Sequence, residues 1–302
     1  MFARLANGNV APTRVIEGQA TNLSRTMHGI AYDDVNDEIV IPVALSGALL
    51  VFRGDAKGET PPVRTIQGTR THLVRPQTVA VDPVNNEILT ADPAMRAVVV
   101  FDRRANGNVA PKRVISGEKT GLLDIVGVAV DPARNVIVAS SRKGDGPTGL
   151  FIFDRLANGD VAPRAMIGGP KSKLAHFRQV AIDPATGNIF LAQQNTRMKR
   201  QEAYVLDRPR ENFTAREESD DGDEGALDRT GFIAVYAPDD NGDIPPRAII
   251  KGPGIRHAGA GGVALNPHRA EIFAVGGNGF QAFLLPDFFR GLKKPGSPTQ
   301  GR

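Results

Sequence analysis

The sequence predicts an all-β fold: a five-bladed β-propeller of four-stranded antiparallel blades. Three observations carry that expectation. One segment returns about every 49 residues, a second signature falls between its copies, and 33 Gly and 22 Pro among 302 residues break long helices and favour short strands joined by turns.

The first segment runs from Phe2 to Gly18 and returns at Val51–Gly68, Val100–Gly117, Ile152–Gly169 and Val235–Gly252. The second reads Gly29-Ile-Ala-Tyr-Asp33, Thr78-Val-Ala-Val-Asp82, Gly127-Val-Ala-Val-Asp131, Gln179-Val-Ala-Ile-Asp183 and Gly262-Val-Ala-Leu-Asn266. Anchors at Phe2, Phe52, Phe101, Phe153, Tyr236 and Leu285 are 50, 49, 52, 83 and 49 residues apart, a spacing of propeller-blade length.

Each period names four strands. Val79-Ala-Val81 alternates small and branched apolar residues, Asp82-Pro83 turns, and Glu87–Ala91 continues as a second strand. Ala97–Phe101 is an apolar third strand, and Lys112–Ser116 a fourth that alternates with polar residues. Asn106-Gly107 joins the last two, a pair suited to the positive φ of a tight hairpin, and the turn recurs at Asn7-Gly8, Lys57-Gly58, Asn158-Gly159 and Asn241-Gly242. One such sheet cannot bury both faces alone, so five arranged radially share a core. The last unit ends after its third strand, so Thr13–Ile16 of the N-terminal segment is expected to pair beside Phe280–Leu285 and close the ring. The 83-residue spacing places an insertion of about 196–230 within the fourth blade. Residues 1–290 thus read as one domain, and 291–302 as a flexible basic tail.

Composition excludes several function classes. A formal charge of +4 with a pI near 9.5 falls short of the clustered charge of a dedicated nucleic-acid binder, and the absence of Trp leaves little for base stacking. Zero cysteines remove thiol nucleophiles, disulfide frameworks, zinc knuckles and iron–sulfur clusters. No run is apolar enough for a transmembrane helix, and the opening residues contain no signal-peptide core.

The Val-Ala-Val-Asp-Pro units and the Phe-x-x-x-Ala-Asn-Gly-Asn-Val-Ala-Pro-x-Arg-x-Ile-x-Gly segments resemble bacterial NHL-type repeats, within the broad propeller set that includes SMP-30-like and lactonase-like proteins. The resemblance covers about residues 2–290 apart from the insertion. It implies a propeller, and a periplasmic or extracellular location. It does not select an activity, since ligand binders, scaffolds and hydrolases share this architecture.

Propeller function concentrates where loops enter the inner strands. Those loops carry His28, Arg75-Pro76-Gln77, Asp124, His176 and Arg256-His257, so three of five histidines fall at equivalent positions. Histidine there can act as acid or base or ligate metal, with Asp124 to orient it; solvent-facing polar loops give the same pattern without chemistry. Hydrolytic relatives of the resembled set hold a divalent cation through Glu, Asn and Asp. The residues offered here are Asp92, Asp124 and Asn195, without an equivalent glutamate. The insertion presents Arg197, Lys199, Arg200, Glu217, Asp220, Asp221 and Asp223 for a partner, although its acidic run lacks the order of a calcium loop. Arg14, Arg64, Arg113, Arg164 and Arg247 recur once per blade on outer strands, as an anion-binding belt or as guards against edge-to-edge pairing.

The function expected is a non-catalytic binding or scaffold propeller, part of a larger assembly and engaged with a protein partner. No cofactor is expected and no nucleic acid. The alternative is a metal-dependent lactonase- or gluconolactonase-like hydrolase that binds a divalent cation and a small molecule at the central channel.

Overall fold

The computed structural model describes residues 1–24, 27–142, 148–193, 231–250, 261–276 and 279–290. The first sheet comprises β1 (Ala31–Asp33), β2 (Glu38–Val43), β3 (Ala48–Arg53) and β4 (Arg64–Gln67), and the second β5 (Thr78–Asp82), β6 (Glu87–Asp92), β7 (Ala97–Asp102) and β8 (Arg113–Ile115). The third comprises β9 (Asp124–Asp131), β10 (Val136–Arg142), β11 (Gly149–Asp154) and β12 (Ala165–Gly168), and the fourth β13 (Phe177–Ile182), β14 (Ile189–Gln193), β15 (Phe232–Tyr236) and β16 (Ala248–Ile250). β17 (Gly262–Asn266), β18 (Glu271–Gly276) and β19 (Gly279–Leu284) form the fifth. All pairings within the sheets are antiparallel between consecutive strands, which gives five meanders in a five-bladed propeller arrangement.

The central strands are apolar on both faces because neighbouring sheets cover both. Between the first two sheets, Val40, Leu49, Val51 and Ile66 pack against Val79, Ile88, Val99 and Phe101. Burying side chains of this size contributes about 1.5–3 kcal/mol each, so these interfaces supply the main stabilising term. The aspartate that ends each inner strand has a local task. Buried Asp82 accepts from the Asn85 backbone N–H at 2.9 Å and from the Asn85 side chain at 2.8 Å. Asp33, Asp131 and Asp183 clamp their own turns in the same way.

The Asn-Gly turns also work between sheets. Asn106 Oδ1 accepts from Thr65 N–H of the preceding sheet at 3.0 Å, and Gly107, held at φ 77°, donates to the Thr65 carbonyl at 2.6 Å. Asn158 and Asn241 repeat the clasp on Val114 and Met166 at 3.0 Å. The positive φ leaves the turn's N–H and C=O aimed at the neighbouring edge, which joins β4, β8 and β12 to the next sheet.

Closure differs from the expectation. Thr13–Ile16 does not pair with β19, which carries no fourth strand among the described residues. Thr13 instead donates to the Met1 carbonyl at 2.9 Å, the bond that Val63, Lys112, Arg164 and Arg247 make to Val51, Val100, Ile152 and Val235 at 2.7–2.8 Å. Residues 1–16 thus bring their own third-strand end, and it occupies the inward edge that β19 would have needed. The unit sits at the seam between the fifth and first sheets. Phe2 leans on Phe280 with ring centroids 5.8 Å apart, Arg4 pairs with Glu271 at 2.6 Å, and Ile16 bridges to Gly58 as Ile66, Ile115 and Ile167 bridge to the next turn.

Candidate functional site

The loops entering the inner strands bring Arg75 and Arg178 close enough to His28 for their charges to act on it. Gln179 Nε2 donates to the His28 carbonyl at 3.2 Å, so the fourth sheet reaches the first across this mouth. Burial, then the charges of Arg178 and Arg75, push the His28 imidazole below its ordinary value. Asp124 does not orient it, since it pairs with Arg142 at 2.9 Å, its cross-strand partner in the β9–β10 ladder. His176 is half-buried just before β13. Asp92 is fully buried, and its oxygens accept from the backbone N–H groups of Val74 and Arg75 at 2.8 Å, Ala94 at 3.1 Å and Met95 at 3.2 Å. This geometry makes Asp92 a clamp between two loops.

The structure therefore brings His28, Arg75 and Arg178 together and leaves Asp92 and Asp124 with partners of their own. His257, Asn195, Arg197, Lys199, Arg200, Glu217, Asp220, Asp221 and Asp223 lie outside the described residues. Among the described residues, no group of three or more His, Cys, Asp or Glu is placed to hold a metal ion. No described helix is long and apolar enough to cross a membrane.

The outer arginines do not form a free belt. Arg64 of β4 and Arg103, just after β7, both donate to Glu38 Oε2 at 2.7 Å, so one half-buried carboxylate joins the first sheet to the second. At the next junction Glu87, 2% exposed, receives Arg113 at 2.7 and 2.8 Å, Lys112 at 2.8 Å and Arg155 of the third sheet at 3.1 Å. Burial alone would raise the Glu87 pKa, but hydrogen bonds from Arg113 and Lys112 hold it down to about 2. The same balance, with Arg64 and Arg103, lowers Glu38. Arg247 is tied to Asp240 at 3.0 Å, and Arg14 donates to the Gly54 carbonyl at 2.6 Å. Arg14 and Arg164 are the two of the five that pair with no acidic group among the described residues.

Sequence reasoning missed these ion clusters. Their signal lies in the repeat, a glutamate opening the second strand and an arginine two residues after the third-strand aromatic, but the two halves belong to different blades. No family model matches the chain, and no curated protein matches it. The five-bladed arrangement stands on the repeat and on the strand pairing.

Proposed function

We propose that the chain is a non-catalytic binding propeller of the NHL-repeat kind, which works outside the cytoplasm as a scaffold in a larger assembly and captures a partner protein by strand addition at the fifth sheet. The observation that carries this reading is the edge of β19, to which no strand is paired among the described residues. Its six residues, Gly279-Phe-Gln-Ala-Phe-Leu284, include no charge and no proline, and Phe280 and Leu284 are 45% and 69% exposed. Natural edges are blunted by brevity, charge or proline, and one that is not blunted serves as a template for another strand. The other outer edges, β4, β8, β12 and β16, are only three or four residues long. Tyr32 of β1 and Ile30 just before it, 56% and 64% exposed, are apolar groups left uncovered at the first sheet.

The four completed sheets define the partner's chemistry. Each fourth strand is antiparallel and sets an isoleucine opposite the second residue of the third: Ile66 on Leu49, Ile115 on Val98, Ile167 on Leu150 and Ile250 on Ile233. In the first two sheets an arginine two residues earlier meets the glutamate of the second strand. Phe280 and Glu271 hold those places in the fifth sheet, where Phe2 and Arg4 meet them, so the occupant is an extended protein segment bearing Arg-x-Ile that displaces those two side chains. A labelled peptide with the sequence from Asn108 to Gly117 is the probe, read by fluorescence anisotropy. Saturable binding that Ala282→Pro abolishes and Ala282→Val preserves is expected, since the equivalent Val51 faces the fourth strand. Binding that survives Ala282→Pro in a folded variant, or no binding at all, would sink the reading.

A further inference from the structure

We propose that the cleft between the third and fourth sheets is a binding site for a small aliphatic carboxylate. The inference starts from what fills the equivalent place at each other junction. Glu38 with Arg64 and Arg103 closes the first, and Glu87 with Lys112, Arg113 and Arg155 the second. Between the fourth and fifth sheets the glutamate position is Asn188, which donates to the Phe288 carbonyl at 2.9 Å, while Phe288 and Phe289 lie against Phe190 at 6.2 Å. Glu271 and Arg4 meet at the seam.

At the remaining junction every one of these elements has been replaced. Val136 stands where the glutamate would be, Ala165 where Arg113 would be, and Pro238 where Arg155 would be. A cavity of about 370 Å³ opens there, floored by Val136, Val138, Ile152, Ile182 and Ile189, with no aromatic ring in its wall. Scaling from the ~150 Å³ that holds benzene, it has room for on the order of ten to fifteen heavy atoms. Branched aliphatic walls suit an alkyl body. Arg164 lines the same cleft and is the counterpart of Lys112, whose carboxylate partner Val136 has removed. Its guanidinium is thus left without the anion that the repeat provides elsewhere. The other charges of the rim are committed or shared: Arg134 binds Asp131 at 2.8 Å and the Ala185 carbonyl at 3.1 Å, and Asp239 acts on Arg247. A ligand carboxylate at Arg164 restores the missing anion, and its alkyl chain covers the floor much as the phenylalanines cover the next junction.

Sodium octanoate and 1-octanol are the probes, followed by methyl NMR on the full chain. Octanoate is expected to saturate with a Kd of about 1 mM or below and to shift the methyl signals of Ile152, Ile182 and Ile189. Arg164→Gln should weaken octanoate about tenfold and leave octanol within about twofold, because only the carboxylate contact is lost. Val136→Glu rebuilds the anion within the chain and should abolish octanoate binding. Val136→Phe, which copies the apolar plug, does the same if the glutamate variant fails to fold. The proposal is overturned if octanoate does not saturate, if the shifts arise elsewhere, if Arg164→Gln weakens both probes equally, or if folded Val136 variants still bind.

Discussion

Two junctions of the same ring, built from copies of one repeat, meet in opposite ways. Between the second and third sheets a buried glutamate gathers three cations drawn from two blades. Between the third and fourth, one Glu-to-Val exchange comes with loss of both arginines, and the groove stays open over an aliphatic floor. The apolar core beneath differs little, with Leu89, Val98 and Phe153 on one side and Val138, Leu150 and Tyr236 on the other. Apolar burial thus holds the sheets together at both places, and the polar layer outside decides whether a cleft exists. A glutamate can sit there only because each lone pair has a donor. Once one member of such a cluster goes, the rest become costly, which accounts for their having been exchanged together.

The comparison is broken most directly at Glu87. Glu87→Ala strands Arg113 and Arg155 without their acceptor and is expected to cost about 3–5 kcal/mol in denaturant unfolding, whereas Val136→Ala at the open junction should cost about 1 kcal/mol or less. Equal losses at the two positions would remove the distinction. Acid sharpens it next. Glu87 titrates near 4.5 when unfolded and at about 2 in the folded chain, so its contribution is complete above pH 4.5 and lost as pH falls through about 2. Stability measured between those values should fall steeply in the parent and more gently in Glu87→Gln; parallel curves would show that the cluster does not hold the carboxylate ionised. Smaller again is the buried Tyr236 hydroxyl, which donates to the Ser172 carbonyl at 2.6 Å below the open cleft, and Tyr236→Phe should cost about 1 kcal/mol. Least of all is His28, whose imidazole should titrate below 6.5 by NMR and rise towards that value in Arg178→Gln. Its depressed pKa means that stability is retained above pH 6.5 and declines slightly as pH falls below it.

The fold was legible in the sequence where a pattern is local. The Val-Ala-Val-Asp signature marks inner strands because alternation and the turn-clamping aspartate lie within six residues, as at Val79–Asp82 and Asn85. Features that need two blades at once were not legible. Asn106 reads as a hairpin residue, yet its side chain serves Thr65 forty-one positions earlier, and Arg155 reads as surface charge while it reaches Glu87 across sixty-eight. The closure expectation failed for a related reason. Thr13–Ile16 matches a fourth strand in sequence, and only the Thr13–Met1 bond shows that its third-strand neighbour comes with it. At the mouth, the Asp124–Arg142 pair depends on a register, displaced by an irregularity after Ser140, that no spacing rule announces.

The central claim, that the inter-sheet carboxylate cluster closes a junction and its deletion opens a binding cleft, is tested most directly by transplanting the deletion. Glu87→Val with Arg113→Ala and Arg155→Pro copies the open junction into the closed one and keeps Lys112 in the place of Arg164. Octanoate titrated calorimetrically into the folded triple variant is expected to bind at two sites per chain, against one in the parent. A folded variant that still binds one octanoate would contradict the account.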